Sequence, residues 1–378
     1  MKVAIIHDWL TGMRGGERVL ELFCSLFPDA NLFTLFHHKG SVSPQIERHP
    51  ITVSRLQRFP RTRKTYRYLL PLFPSAIESF DLSGFDLIIS TSHAVAKGAI
   101  PPAGALSICY CHTPMRYIWD QYDVYFDSGD TSRLVRTVMP LFRDYLQNWD
   151  VTTHNRVNAY IANSRFVARR IETLYGRPST VIPAPVDCRF FMPNDLPPEE
   201  YYLVVSALAP YKRVDLAIDA FNRNERRLVI IGDGTESKAL RARAKSNITF
   251  MGRLTDAQVR DHYQRCRAVV FPGVEDFGLV PLEAQACGRP VIAYVDGGAL
   301  ETVVEGISGH FFFNRTPESL NHAIRVFETM EFSMDIIRKR AFEFDSSEIG
   351  ARLCRYLNIL LAERGLPAIT ATEITRSC

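Results

Sequence analysis

The sequence lacks a long apolar run, a strong net charge and a dense set of cysteines. No stretch approaches the roughly 18 to 20 apolar residues of a membrane-spanning helix. The apolar start at residues 3–6 runs into His7-Asp8, which predicts a first strand rather than a signal peptide. The net charge is only +4, which excludes a globally basic nucleic-acid binder and leaves room for a local basic patch.

The eight cysteines do not form a complete zinc motif. They are scattered, and the one close set, residues 109–112, reads Cys-Tyr-Cys-His without the second half that a zinc site needs. Small side chains at alternate positions of an apolar strand are usually core residues. We therefore expect no metal site and a reducing compartment, the cytoplasm.

The length of 378 residues suits two domains. Short apolar runs alternate with helical patterns in both halves, which is typical of parallel sheets covered on both faces. The predicted strands are residues 2–6, 86–90, 105–110, 159–162, 180–182, 202–206, 227–231, 248–250, 268–271 and 291–294. The fold class is therefore α/β, with two doubly wound, Rossmann-like domains.

Five prolines between residues 182 and 199 predict a linker. We expect an N-terminal domain over 1–185 and a second domain over 199–345. In the second domain, Thr316 caps a helix that Pro317 opens. Residues 346–378 contain a last helix, from Ser347 to Arg364, that could return to the first domain.

The first half carries two sets of candidate site residues: a glycine pair before a helix and two histidines at strand ends. Gly15 and Gly16 precede an amphipathic helix, so they free the backbone to approach a ligand near the helix N-terminus. His93 and His112 each end a strand, and a histidine there can hydrogen-bond a sugar hydroxyl. His112 is the better candidate because it opens a polar and aromatic segment. The plainer alternatives are a simple glycine turn and structural histidines.

The second half carries the most specific pattern, in residues 271–284. Glu275 lies in the loop after a strand, and we place Glu283 in the first turn of the next helix. Between them, Gly278 and Leu279 present backbone N–H groups suited to a phosphate or sugar oxygen, and we count Phe277 with them as a donor-binding residue. Two carboxylates eight positions apart suit diols on two separate rings. The plainer alternative is a solvated loop acid and an acid that complements the helix dipole.

Further strand ends in the second half carry cations and glycines. Lys212 and Arg213 follow the strand 202–206, where a cation can meet a diphosphate; a solvated basic helix start is the alternative. Gly232 and Asp233 follow the strand 227–231 and form a turn near a base or ribose. The segment 296–298, Asp-Gly-Gly, again allows close backbone approach.

Taken together, these residues resemble the retaining glycosyltransferases of family 4, the group 1 transferases with the two-domain GT-B fold. Glu275 and Glu283 match the family's E-x7-E motif. The resemblance implies that Glu275 holds the donor sugar and Glu283 the ribose hydroxyls. It also implies that Lys212 and the Gly15-Gly16 loop bind the diphosphate, approaching it from the two sides of an interdomain cleft.

On the N-terminal side, His112 matches the family's donor-sugar histidine, and residues 162–166 also follow the family pattern. One position departs from it: Ala207 stands where many members have an arginine, so one of two expected diphosphate cations is missing. Arg213 could substitute, but adjacent helical residues point about 100° apart, so we expect Lys212 to act largely alone.

The segments 113–117 and 210–215 resemble mannosyltransferases that build bacterial O-antigens and exopolysaccharides. The implied function is transfer of mannose from GDP-mannose, without a cofactor, to a saccharide or polyprenyl-linked saccharide in lipopolysaccharide or surface-polysaccharide synthesis. A nucleotide-sugar epimerase of the same fold and a non-catalytic nucleotide-sugar-binding protein are the alternatives. We expect no nucleic-acid partner.

A basic and aromatic segment over 55–73 leaves two interpretations open. It carries six cations without an intervening acid: Arg55, Arg58, Arg61, Arg63, Lys64 and Arg67. Apolar residues lie between and after them. The segment is either a solvated basic helix in front of a core segment or a patch that contacts an anionic membrane peripherally. The second interpretation places the protein on the inner face of the cell membrane.

Overall fold

The computed structural model describes residues 1–60, 62, 66–120, 122, 133–194 and 196–370. The chain forms two compact units. Unit 1 comprises Met1–Ala184 with Ile349–Cys378, and unit 2 comprises Pro185–Glu348. The division falls at the start of the proline-rich segment predicted as a linker. Most of that segment belongs to unit 2, where Val186 N donates to Phe344 O at 2.9 Å.

Unit 1 contains a seven-stranded sheet in the order β3-β2-β1-β4-β5-β6-β7. All its paired strands are parallel. Its strands are β1 (Val3–His7), β2 (Asn31–Thr34), β3 (Ile51–Val53), β4 (Leu87–Ser92), β5 (Leu106–Cys111), β6 (Ala159–Ala162) and β7 (Ser179–Val181). Sequence analysis missed β2 and β3, because both are short and β3 is largely exposed.

Unit 2 contains a six-stranded sheet in the order β10-β9-β8-β11-β12-β13. Its pairs are also parallel. The strands are β8 (Tyr202–Val205), β9 (Leu228–Ile231), β10 (Ile248–Gly252), β11 (Ala268–Phe271), β12 (Val291–Tyr294) and β13 (Gly309–Phe312). Sequence analysis missed only β13 among these. The predicted α/β class with two Rossmann-like sheets is confirmed.

Helices cover the sheets of both units. In unit 1 they are α1 (Gly15–Leu26), α2 (Pro44–Glu47), α3 (Phe73–Glu78), α4 (Arg133–Thr152) and α5 (Arg165–Tyr175). The following helices are α6 (Val214–Asn224), α7 (Ser237–Arg243), α8 (Asp256–Arg265), α9 (Leu279–Ala286), α10 (Ala299–Thr302), α11 (Pro317–Phe327), α12 (Met334–Phe342) and α13 (Ser346–Glu363). As predicted, Thr316 caps α11 by accepting from Ser319 N, and Pro317 opens it. The predicted last helix is α13, one residue earlier at each end.

Each unit has its own apolar core between sheet and helices. A buried ion pair joins two elements of unit 1: Lys97 Nζ lies 3.1 Å from Asp150 Oδ1. In the described ranges, no helix combines the length and apolar character that crossing a bilayer requires. Because the strands within each sheet are parallel, their carboxyl ends share one edge, where candidate site residues collect.

Candidate functional site

Unit 2 brings together the two candidate residues that follow its central strands. Lys212 ends a short 3₁₀ turn (Pro210–Lys212) after β8, and Glu275 lies in the loop after β11. Lys212 Nζ lies 2.5 Å from Glu275 Oε1, with only 15% and 21% of the two side chains exposed. Strands β8 and β11 are neighbours in the sheet, so the pair follows from the strand order. It places a cation and a carboxylate in partly desolvated contact.

Glycines hold the loops that carry this pair. A side chain at Gly273 would meet the backbone of Lys212, with its Cβ 2.8 Å from Lys212 O. A side chain at Gly298 would overlap the backbone of Phe277, and Gly298 N donates to Glu275 O at 2.8 Å. Gly297 has a φ of +64° and packs on Glu275 as well. These glycines permit close packing of backbone on backbone around the ion pair.

Arg213 does not share the position of Lys212. It adopts left-handed backbone with φ of +53°, between the 3₁₀ turn and α6, so the helical 100° offset assumed from the sequence is wrong. Its guanidinium is held by Asp215, Nε to Oδ1 at 3.1 Å and Nη2 to Oδ2 at 3.2 Å. Ala207, at the position of the missing arginine, is exposed.

The N-terminus of α9 lies next to the Glu275 loop along the chain. Gly278 precedes the helix with a φ of +91°, in the left-handed region that favours glycine, and Leu279 is the first helical residue. The first N–H groups of a helix have no partner within it and suit an anion. The Phe277 side chain is buried against Phe344, so a donor contact at this position falls to its backbone.

Glu283 lies in the second turn of α9, so its predicted place in the first turn is wrong. Tyr263 of α8 donates its hydroxyl to Glu283 Oε2 at 2.9 Å. Burial and the neighbouring Glu283 carboxylate raise the pKa of Tyr263 well above its usual range. Tyr263 therefore stays a hydrogen-bond donor and orients the carboxylate.

Gly232 and Asp233 follow β9 in a segment without regular secondary structure, and the turn comes at residues 235–236. A side chain at Gly232 would overlap Ser206 O, and one at Gly234 would overlap Leu208 O. Both glycines are thus explained by contact between two strand-end loops. Asp233 Oδ1 accepts from Gly234 N at 2.8 Å. Contacts of these residues with a base or ribose remain a prediction.

Unit 1 gathers three histidines around the start of α1. His7 ends β1, and His93 and His112 follow β4 and β5. A Cβ on Gly16 would lie 3.6 Å from His112 Nε2 and 3.7 Å from His7 Cε1. Burial, with the neighbouring His93 and His7, holds the pKa of His112 well below its usual range, so this ring is neutral at pH 7.

The two other histidines have carboxylate neighbours. Asp8 is fully buried and accepts four backbone N–H groups from residues 93–96, while His93 Nδ1 lies 3.1 Å from Asp8 Oδ2. Burial lowers the pKa of His93 despite that carboxylate. His7 Nε2 lies 3.6 Å from Glu17 Oε1. His93 thus helps to pack residues 93–96 around Asp8 and also lies beside His7 and His112.

Several contributing residues were not selected individually from the sequence, although Asn163 lies within the segment 162–166 noted there. Asn163 Nδ2 donates to His112 O at 3.0 Å and so holds the backbone of the candidate histidine. Its position directly after β6, next to β5 in the sheet, was a usable signal. Glu17, next to the glycine pair, was another. Tyr263 carried no local signal, since its role depends on contact with a distant segment. Gly273 lay within the pattern of residues 271–284 without a role of its own.

The basic segment 55–73 divides into core and surface residues. Tyr66, Leu70 and Phe73 are buried, whereas Phe59, Tyr68 and Leu72 are exposed. Arg55 and Arg58 lie exposed on a 3₁₀ turn (Arg55–Arg58). Arg61, Arg63 and Lys64 lie outside the described residues, as does the side chain of Arg67.

Across the described part of the chain, no group of three or more His, Cys, Asp or Glu side chains is arranged to hold a metal ion. The unit 2 site can instead meet a phosphorylated ligand with Lys212 and the N-terminus of α9. Its carboxylates, Glu275 and Glu283, can accept from hydroxyl groups.

Comparison with known proteins matches both halves of the chain to glycosyltransferase families. Residues 13–190 match the family described as Glycosyltransferase Family 4, and residues 191–344 match Glycosyl transferases group 1. Among curated proteins, the O-antigen chain mannosyltransferase C of Escherichia coli is 28% identical over 176 residues, 43% of this chain and 46% of that protein. The D-inositol 3-phosphate glycosyltransferase of Segniliparus rotundus is 28% identical over 186 residues, 42% of this chain and 41% of that protein. The chain spans under half the length of both relatives.

Solved structures share the fold over nearly the whole chain. Anabaena HepE in complex with UDP and glucose has a TM-score of 0.70 at 18% identity, covering 94% of this chain and 99% of that chain. Sucrose-phosphate synthase from Thermosynechococcus elongatus has a TM-score of 0.73 at 17% identity, covering 96% of this chain and 100% of that chain. At such identities the likeness shows the fold alone, which is GT-B.

Proposed function

The chain is a group 1, family 4 glycosyltransferase, and from that premise we propose that it transfers a sugar from a nucleotide sugar to a saccharide acceptor with retention of anomeric configuration. The observation that carries this proposal is the Lys212–Glu275 pair at the strand-end edge of unit 2. Phosphate oxygens of the donor compete with Glu275 for Lys212. Glu275 is then free to accept from sugar hydroxyls, while Glu283 serves the ribose.

The chemistry requires stabilisation of a leaving nucleoside diphosphate. The anomeric carbon–oxygen bond to the phosphate breaks, and a bond to the acceptor oxygen forms on the same face. The acceptor's proton passes to the departing phosphate oxygen. Lys212 and the N–H groups at the start of α9 stabilise the negative charge that develops there. Neutral His112 can hydrogen-bond a sugar hydroxyl without adding a charge.

GDP-mannose is the proposed donor, and a saccharide or polyprenyl-linked saccharide of bacterial surface polysaccharide is the proposed acceptor. The partial similarity to an O-antigen chain mannosyltransferase supports both. An epimerase would convert its sugar nucleotide with no acceptor present. A non-catalytic binding protein would take the donor without turnover in any acceptor mixture.

The test combines nucleotide binding with turnover. GDP should raise the melting temperature more than UDP or ADP at equal concentration, because a ligand that binds only the folded state stabilises it. Glu275→Gln should lower kcat/KM for sugar transfer at least about a hundredfold while the ligand-free melting temperature stays unchanged.

The matched control is Glu318→Gln, which removes an exposed carboxylate paired with Arg223 in the same unit and should leave kcat/KM unchanged. Near-normal turnover of Glu275→Gln would contradict the role given to this carboxylate. Preference for UDP would contradict the GDP-mannose assignment.

We further propose that segment 55–73 lets the protein contact an anionic membrane surface, where a lipid-linked acceptor would lie. Exposed Phe59, Tyr68 and Leu72 follow or flank the exposed cations Arg55 and Arg58. Aromatic side chains favour the interfacial region of a bilayer, and cations favour anionic headgroups. Contact of this kind is peripheral and requires no spanning helix.

A further inference from the structure

Glu17 is buried, although it lies in the first turn of a helix where acids are usually solvated. Only 3% of the residue is exposed, and its Oε1 lies 3.6 Å from His7 Nε2. Burial raises the pKa of Glu17, but the neighbouring His7 and His93 outweigh that effect and leave the pKa below its usual value. An acid that only complements the helix dipole needs no such enclosure. The carboxylate is therefore ionised and directed at His7.

His7 is fixed from its other side. Its Nδ1 lies 2.7 Å from Thr91 Oγ1, and both residues are fully buried. They are partners in the register of β1 and β4. The Glu17 carboxylate lies 3.6 Å from Nε2, beyond hydrogen-bond length, and Nε2 has no hydrogen-bond partner of its own. We infer that the proton is on Nε2, where it faces this charge, and that the Thr91 hydroxyl donates to Nδ1. Thr91 thus fixes the orientation of the ring, whereas the charge of Glu17 favours the tautomer.

The ring of His7 supports the same glycine that borders His112. A Cβ on Gly16 would contact His7 Cε1 and His112 Nε2 at nearly the same distance, 3.7 and 3.6 Å. His112 Nε2 is buried without a hydrogen-bond partner of its own. Any shift of the first turn of α1 therefore changes the space in front of this nitrogen. Glu17 ties that turn to His7, and Thr91 ties His7 to the sheet.

We propose that Glu17, His7 and Thr91 form a positioning chain that sets the Gly15-Gly16 turn against His112 and so determines how His112 meets the donor sugar. The three residues act through the turn and through His112. None of them contacts the sugar. The inference rests on the proposed function for the role of His112, whereas the geometry of the chain itself does not.

The experiment compares Glu17→Gln and Thr91→Val with the wild type. Gln keeps the shape of Glu17 and removes its charge, and Val keeps the shape of Thr91 and removes its hydroxyl. The matched control is Glu21→Gln, one turn further along α1, where the carboxylate pairs with Arg18 at the surface. For both test variants kcat should fall at least about tenfold while the donor KM changes less than about threefold, because a small misplacement weakens transition-state contacts. Thr91→Ser should restore kcat.

A second readout does not depend on turnover. In protein with isotopically labelled histidines, NMR should show the His7 proton on Nε2 in the wild type. Glu17→Gln and Thr91→Val should shift the His112 ring signals, and Glu21→Gln should not. If the wild type turns over no donor, the proposed function is wrong. The NMR shifts still test whether Glu17, His7 and Thr91 position His112. Unmoved His112 signals and an unchanged kcat in folded Glu17→Gln would overturn the proposal. If that variant does not fold, Thr91→Val decides in the same way.

Discussion

At the residue scale, two adjacent cations of unit 2 have different partners. Lys212 contacts Glu275, which follows a neighbouring strand, whereas Arg213 is held by Asp215 within its own turn. Arg213 also differs in its backbone, which is left-handed. With Ala207 at the position of the family arginine, we predict that Arg213 does not supply the missing cation.

Lys212→Ala should therefore lower kcat/KM by about tenfold to a hundredfold, because a charge-assisted hydrogen bond to phosphate contributes roughly 1.5 to 3 kcal/mol. Arg213→Ala should cost clearly less. Steady-state kinetics on both variants checks this, after equal ligand-free melting temperatures show that both are folded. An equal loss of kcat/KM in the two variants would mean that Arg213 leaves Asp215 and joins the donor site.

At the element scale, loops at the strand ends of unit 2 are held by close backbone packing. Gly298 lies before α10 against the backbone of Phe277, whereas Gly16 at the start of α1 has only ordinary contacts around its missing Cβ. The two glycines look alike in the sequence, since each is the second of a Gly-Gly pair.

Gly298→Ala should lower the free energy of unfolding by about 1 to 3 kcal/mol, because the added methyl group forces the two backbones apart. Gly16→Ala should leave it unchanged or slightly higher, since alanine favours a helix over glycine. Urea denaturation at a fixed pH measures both. A Gly298→Ala protein as stable as the wild type would show that the Glu275 loop can move without cost.

At the scale of the whole molecule, a net charge of +4 gives little general attraction to anionic surfaces. Membrane contact must therefore come from a local patch, and segment 55–73 is the proposed one. Its described cations, Arg55 and Arg58, can be removed without touching the core, because both are exposed.

Arg55→Gln/Arg58→Gln should weaken binding to anionic vesicles about tenfold, since each cation near such a surface contributes on the order of 1 kcal/mol. Arg223→Gln/Arg253→Gln, in unit 2, changes the net charge equally at exposed sites and should leave binding unchanged. Vesicle sedimentation measures both. Binding that is equal for neutral and anionic vesicles, or absent from both, would contradict the proposal.

The sequence by itself determined the fold class and the loops in which candidate residues lie. Apolar runs between helical patterns specify parallel strands, and parallel strands place their carboxyl ends at one edge. This is why Glu275, Lys212 and His112 could be selected before any contact was known. The short strands β2 and β3 escaped, since four and three residues leave little periodicity to read.

Only the tertiary structure decided which of those residues meet. Lys212 reaches Glu275 because β8 and β11 are neighbours in the sheet, and a crossover of that kind has no local sequence signal. The contact of Glu17 with His7 and that of Tyr263 with Glu283 also depend on how separate elements pack together. Local patterns report the period and polarity of one segment, whereas a site depends on the order in which segments pack. The position of a candidate residue at a strand end was thus readable from the chain, and its partner was not.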